Sequence, residues 1–220
     1  MFEFPIVIPA EQRALSTRFT QALVAAAELH AGQRRKGSGV PYVAHVMAVA
    51  AVAFEYGASE DEGIAALLHD AIEDAPRALG AAGVRQLIAG RFGADVLGMV
   101  EDCTDSDTHP KPAWRPRKQA YISHLVSALP GALLVSAADK LHNVRTILAD
   151  FRIEGDEVWR RFSPEAGKSG TIGYYRGLVA AFRTRSGDGP GAFSRLVADL
   201  DTEVRALESL AGETGRWPPA

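Results

Sequence analysis

Apolar residues recur along this chain at the spacing of helix faces rather than of strands. Leu15, Phe19, Ala22, Leu23, Ala26 and Ala27 fall near a 3.6-residue period and predict a first helix over about 14–31. His30 sits where it caps that helix near its C-terminus, a position that favours partial positive charge. Val43, Val46, Val49, Ala50, Ala53 and Phe54 predict a second helix. Pro41 stands at a first-turn position that tolerates it, and Gly57 at the residue just beyond the end. Ser59 and Glu62 have capping-box spacing and open a third helix, which the pattern carries through "AALLHDAIED" to just before Pro76. Shorter helices fit about 83–91 and 94–102, separated by Phe92–Gly93. Longer ones fit about 116–128 and 131–149. Residues 150–170 are mixed, and "TIGYYRGLVAAF" (171–182) returns to helix. "RSGDGPG" (185–191) reads as a connector. Phe193, Leu196, Val197, Leu200, Val204, Leu207 and Leu210 stripe a last helix, whose plain role is packing. No run shows the alternation of a long strand, so the expected class is all-α. The expected organisation is one domain over 1–220, with a core at about 14–183 and a C-terminal helix at about 190–211 packed on it.

Composition narrows the setting. A chain of 220 residues with 47% hydrophobic residues can bury one substantial core. A net charge of −3 is not that of a nucleic-acid binder, though a local basic cluster still suits a small anionic ligand. The single cysteine, Cys103, makes no internal disulfide and reads as a small buried hydrophobe. "MFEFPIVIPAEQRAL" lacks the features of a signal peptide, and no stretch reaches the length of a membrane helix. The expected protein is soluble and cytoplasmic.

Polar residues that interrupt the apolar helices carry the chemistry. His69, Asp70, Glu73 and Asp74 crowd the end of one apolar segment. His45 lies in the second helix, and Asp139 in "LLVSAADKLHN". Buried charges need partners or a metal, and a mixed imidazole–carboxylate set suits Mn, Fe, Co or Zn more than Ca. Any one of these residues alone is weak; the ordered set is stronger. Glu73 follows His69 by four residues, as Asp74 follows Asp70, so a continued helix puts each one turn further along the same face. The alternative for the pair is an acidic, solvated helix end. The loop "QRRKGSG" adds Arg34, Arg35 and Lys36, with Arg34 read as a solvated surface charge.

His45, His69–Asp70 and Asp139, with "HAGQRRKGSGVPYVAH", "AALLHDAIED", "FG", "CTD" and "ADKLHNVRT", resemble the HD-domain metal-dependent phosphohydrolase superfamily. Within it they look like the hydrolase domain of RelA/SpoT homologues and the stand-alone small alarmone hydrolases. The resemblance covers about 20–150, with a weaker echo to about 183. It implies an HD-type helical bundle holding one Mn²⁺ by His45, His69, Asp70 and Asp139, with other transition metals as alternatives. It gives Glu73 and Asp74 to the catalytic water. Substrate contacts fall to Arg35, Lys36, Lys140, Asn143 and Arg145. The implied reaction is hydrolysis of guanosine 3′,5′-bis(diphosphate), or its pentaphosphate, to GDP or GTP and pyrophosphate. One departure concerns the basic loop. The family's long enzymes read Arg-Lys-Ser-Gly-Glu-Pro-Tyr, whereas this chain has one residue more and Val40 in place of the acid. No room is expected for a synthetase domain after the hydrolase part.

Two other readings stay open. One is a different HD-family nucleotide phosphohydrolase, such as a nucleotidase or an NADPH phosphatase-like enzyme. The other is a nucleotide-binding HD protein without turnover. The expected partner is a small nucleotide, with no nucleic acid and no membrane, and with a homo-oligomer left open. Tyr174, Tyr175 and Arg176 are candidates for a pocket wall, with one tyrosine given to the core. His109 and His124 are assigned to surface or core, which leaves one metal.

Overall fold

The computed structural model describes residues 14–108 and 110–217; His109 and most of the N-terminal stretch read above lie outside the described residues. Nine α-helices form among them: α1 (Thr17–Leu29), α2 (Val43–Glu55), α3 (Glu60–Leu68), α4 (Gly80–Phe92), α5 (Ala94–Cys103), α6 (Trp114–His124), α7 (Pro130–Glu154), α8 (Gly167–Thr184) and α9 (Phe193–Ala211). A 3-10 turn, Gly155–Arg161, joins α7 to α8. No strand forms among the described residues, and the only pairing of that kind is an isolated bridge between Arg34 and Pro41. The all-α expectation holds. None of these helices is long and apolar enough to cross a membrane.

The short α3 is the hub, packed against α1, α2, α5 and α7. Every residue from Glu62 to Leu68 is buried, as suits a helix apolar on all sides. Its start is the expected capping box: the Glu62 N–H donates to the Ser59 hydroxyl, and the Ser59 N–H donates to the Glu62 carboxylate. Gly63 lets α2 approach, because an added Cβ would stand 2.2 Å from the Phe54 ring. The long α7 runs beside this hub, with Pro130 in its first turn and Ala132–Asp139 continuously buried. Helix α9 lies along α7 and α8. Its buried stripe of Phe193, Leu196, Val197, Leu200, Val204 and Leu207 matches the one read from the sequence except at Leu210, which is exposed. Cys103 is buried, and burial pushes its thiol well up, as expected of a packing residue.

Several elements differ from expectation; α4 and α8 start three and four residues early, at Gly80 and Gly167. The third helix stops at Leu68, so His69–Asp74 form consecutive turns rather than helix. The Ala71 N–H reaches back only three residues, to the Leu68 carbonyl, while the His69 ring takes the Ala66 carbonyl. A side chain that competes for a helix's last carbonyls tightens and ends it. Helix α6 starts at Trp114 and ends at His124, earlier than expected at both ends. Helix α7 runs on to Glu154, through residues whose pattern looked mixed.

Candidate metal and nucleotide site

Four side chains from three parts of the chain converge beside α3. His45 comes from the first turn of α2, His69 and Asp70 from the turn after α3, and Asp139 from the buried stretch of α7. Ligand atoms of His45, His69 and Asp70 lie within 4.8 Å of one another. Asp139 Oδ1 is 3.2 Å from His45 Nε2 and 3.6 Å from His69 Nε2. Asp70 Oδ2 is 3.1 Å from His69 Nε2 and 3.7 Å from His45 Nε2.

Each ring presents the same nitrogen to this centre. His69 Nδ1 lies 2.8 Å from the Ala66 carbonyl oxygen, which only accepts, so Nδ1 carries the proton and a neutral ring keeps its lone pair on Nε2. That Nε2 is buried and has no hydrogen-bond partner. His45 Nδ1 lies 2.9 Å from His142 Nδ1. Burial, then the neighbouring His45 and Arg35, push His142 down to about 4, so it is a neutral acceptor at ordinary pH. In the tautomer in which His45 Nδ1–H donates to it, His45 Nε2 also points a lone pair inward. Lone pairs and carboxylates aimed at one point repel unless a cation stands between them. The orphaned Nε2 and the mixed donor set fit a divalent metal ion.

Further contacts hold the carboxylates in place. Asp70 accepts from the Tyr42 hydroxyl at 2.5 Å. Asp139 accepts from Lys140 Nζ at 2.6 Å and from Asn143 Nδ2 at 2.5 Å. Burial favours the neutral form of Asp139, but the Lys140 ammonium beside it is the largest opposing influence, and the carboxyl is held well below its usual range. Burial likewise opposes charge on Lys140, and Asp139 outweighs it, holding the ammonium well above its ordinary value.

A cavity of about 680 Å³ opens beside this centre. Glu73 and Asp74 line it, but not as two residues on one helical face. Glu73 accepts from Lys111 Nζ at 2.6 Å. Asp74 accepts from Gln33 Nε2 at 2.7 Å, and Gln33 Oε1 in turn lies 2.6 Å from His30 Nδ1. The basic loop forms the adjacent wall. Arg34, Arg35 and Lys36 all border the cavity, and Arg34 is exposed, as the sequence suggests, with its guanidinium donating to the Gly39 carbonyl. Arg35 donates to Asn143 Oδ1 at 2.9 Å. The loop turns at Gly37, whose φ is +87°. A Cβ there would stand 2.1 Å from Arg161 Nε, so only glycine fits.

Several candidates are placed elsewhere. Arg145 does not line the cavity; its Nε donates to Glu203 on α9 at 3.2 Å. Six residues past Asp139 is about 600° of helical rotation, which points Arg145 roughly 120° away from the site. Lys140 is spent on Asp139 and stacks over the Tyr121 ring, so it too leaves the cavity lining. Arg176 turns to Asp201 and Glu208 on α9. Tyr175 borders the cavity, while Tyr174 packs with Trp114 and Trp217. His124 is exposed and pairs with Asp102 on α5, outside the cluster. His30 is the C-cap residue of α1, although its ring serves Gln33 rather than the helix end.

Sequence reasoning missed a second group of cations that lines the cavity. Lys111, Arg117 and Lys118 line the cavity from the segment "PKPAWRPRK", which ends in the helix expected over about 116–128. Arg117 and Lys118 share Asp105 as partner. Burial pushes Lys118 down to about 7, with Lys140 and Arg117 adding to the effect. The basic density of that segment was a usable signal. The roles of Tyr42, Gln33 and His142 were not legible, because their partners lie 28 to 97 residues away along the chain.

A family model described as HD domain matches residues 22–171. The human protein called guanosine-3′,5′-bis(diphosphate) 3′-pyrophosphohydrolase MESH1 is 38% identical over 125 residues, which cover 56% of this chain and 65% of that protein. The bifunctional (p)ppGpp synthase/hydrolase SpoT of Escherichia coli K12 is 34% identical over 136 residues, 59% of this chain and 18% of that one. The match thus spans just under two thirds of the human relative. A solved structure described as a metazoan ortholog of SpoT that hydrolyzes ppGpp superposes with a TM-score of 0.66 at 25% identity. That superposition covers 91% of this chain and 97% of the other.

Proposed function

This chain belongs to the HD-domain family, and from that premise we propose that it hydrolyses guanosine 3′,5′-bis(diphosphate), or the pentaphosphate, at the 3′ position. The products are pyrophosphate and GDP or GTP. The observation that carries the reading is the convergence of His45, His69, Asp70 and Asp139, with an orphaned imidazole nitrogen, at a cavity lined by two groups of cations.

His45, His69, Asp70 and Asp139 would hold the ion, and Mn²⁺ is our choice among the metals this donor set suits. When bound, it supplies Lewis acidity that lowers the pKa of water and offsets charge on phosphoryl oxygens. The chain's own groups do the rest. Arg35 and Lys36 in one group and Lys111, Arg117 and Lys118 in the other offset the charge of two diphosphate groups and orient them. Asn143 links Arg35 to Asp139, so the metal end and the phosphate wall move as one unit. Asp74, anchored through one oxygen, offers the other to take a proton from the attacking water. The new bond forms between that oxygen and the 3′ phosphorus, the bond from phosphorus to the 3′ oxygen breaks, and the proton ends on the 3′ oxygen. Glu73, held by Lys111, stands beside Asp74 and acts with it on the same water, orienting it and sharing its proton.

Two outcomes check this. Guanosine 3′,5′-bis(diphosphate) should yield GDP and intact pyrophosphate with no early orthophosphate, while GTP, lacking the 3′ group, should be a poor substrate. Equal rates on GTP, or early orthophosphate, would favour the nucleotidase alternative. Gln33→Leu, which frees Asp74, should lower kcat about tenfold or more while metal stoichiometry and KM stay near wild type. A change confined to KM would make Gln33 a substrate contact instead.

A further inference from the structure

The residues after α9 are tied back onto α8. Gly212 closes α9 in the left-handed region, at φ +65°. The Gly215 N–H then donates to Glu208 Oε1 at 3.0 Å. Gly173 and Gly177 lie one turn apart on α8, on one face, and form a seat for this strap. A Cβ at Gly173 would stand 2.5 Å from the Arg216 carbonyl oxygen, and one at Gly177 would stand 2.6 Å from Trp217 Cγ.

Trp217 reaches the joint between α8 and α6. The same Cβ at Gly177 would stand 2.8 Å from Ile122 Cδ1 on α6. The Trp217 ring meets Trp114 of α6 edge-on, with 6.0 Å between centroids, and Tyr174 of α8 at 5.7 Å. Trp114 and Tyr174 meet each other at 6.1 Å, so the three rings close a triangle of edge-to-face contacts. Helix α6 packs against α8, so a ring wedged in that joint sets where α6 lies. That position matters because α6 carries Trp114, Arg117 and Lys118 to the cavity. The link to Lys118 passes through one ring: its Nζ lies 4.9 Å from the centroid of Tyr174. The start of α6 has its own anchor, since the Trp114 N–H donates to Glu165 Oε2 at 2.9 Å. Loss of Trp217 should therefore shift α6 rather than free it.

We propose that Trp217 is a positioning residue for the cavity: seated by the strap Gly212–Trp217, it holds α6 so that Arg117 and Lys118 face the phosphate groups of the substrate. Trp217 does not line the cavity and acts only through α6. The identity of the substrate rests on the 3′-pyrophosphohydrolase reading; the mechanical link does not.

The test measures hydrolysis of guanosine 3′,5′-bis(diphosphate), equilibrium binding of GDP and of pyrophosphate, and Mn²⁺ binding, in wild type and variants. Trp217→Ala should raise KM and both dissociation constants about tenfold, the size of one displaced hydrogen bond to a charged group, while kcat and Mn²⁺ binding stay near wild type. Gly173→Ala strikes only the backbone of the strap and should do the same; it decides the matter if Trp217→Ala fails to fold. Combining the two should cost little more than either alone, because both act through one contact. Trp217→Phe keeps a ring in the joint and should retain most of the affinity. Val197→Ala, in the buried stripe of α9, should lower the melting temperature without moving KM. Unchanged KM and binding in Trp217→Ala or Gly173→Ala overturn the proposal. So does a KM that rises equally in Val197→Ala, or a loss of kcat and metal alongside affinity, either of which makes Trp217 a packing residue only. If wild type turns nothing over yet binds GDP or pyrophosphate in a Trp217-dependent way, positioning stands and the hydrolase reading falls. Absence of both binding and turnover in wild type overturns both.

Discussion

Replacing His69 with alanine should strip the protein of its metal and of its activity together. The His69 ring is 2% exposed, and its Nε2 has no hydrogen-bond partner. Its Nδ1 is committed to the Ala66 carbonyl. A buried nitrogen left unpaired costs roughly 1–3 kcal/mol, a cost offset only when something coordinates it. Loss of groups that merely orient metal ligands lowers affinity about 10–100-fold, so loss of a direct ligand should cost at least about 100-fold. Asp70→Ala should behave alike, because the Asp70 carboxylate faces both rings and receives the Tyr42 hydroxyl. Elemental analysis gives the first readout. Thermal melting gives a second that needs no turnover, since an ion that binds only the folded chain raises its melting temperature. Added Mn²⁺ should shift wild type and not His69→Ala. Stoichiometric metal with full turnover in either variant would remove these residues from the ligand set.

The second large effect belongs to Glu73 and Asp74. Glu73→Gln and Asp74→Asn should keep the metal and lose turnover, by the factor of about 10²–10⁴ typical of acid–base help. Both carboxylates line the cavity on turns just past the ligands, each with its own anchor: Lys111 for Glu73 and Gln33 for Asp74. Because Gln33 acts through Asp74, the double variant Gln33→Leu with Asp74→Asn should lose no more than Asp74→Asn alone, whereas independent sites would add. A loss well under tenfold in both single variants would return the pair to an acidic, solvated turn.

The helical framework was legible because it rests on local spacing. The capping box at Ser59–Glu62, the stripe of α9 and the burial of Cys103 each follow from a few neighbouring residues. Helical arithmetic also held information that resemblance overrode. Arg145 came in with the motif around Asp139, yet its rotation along α7 sends it to Glu203. Other features depend on contacts that no local pattern encodes. The end of α3 at Leu68 follows from the His69 ring taking a carbonyl of its own helix, which periodicity does not reveal. The hydrogen-bonded chain His30–Gln33–Asp74 joins the end of α1 to the turn after α3. The second group of cations sits in a segment whose prolines drew the eye away from Lys111, Arg117 and Lys118.

The central claim is that water attacks the 3′ phosphorus. It is tested most directly by hydrolysing guanosine 3′,5′-bis(diphosphate) with the metal-loaded protein in ¹⁸O-labelled water and weighing both products. Attack on phosphorus, with the 3′ oxygen leaving on the ribose, puts the label in pyrophosphate and leaves GDP unlabelled. Label in the nucleotide product would contradict the account.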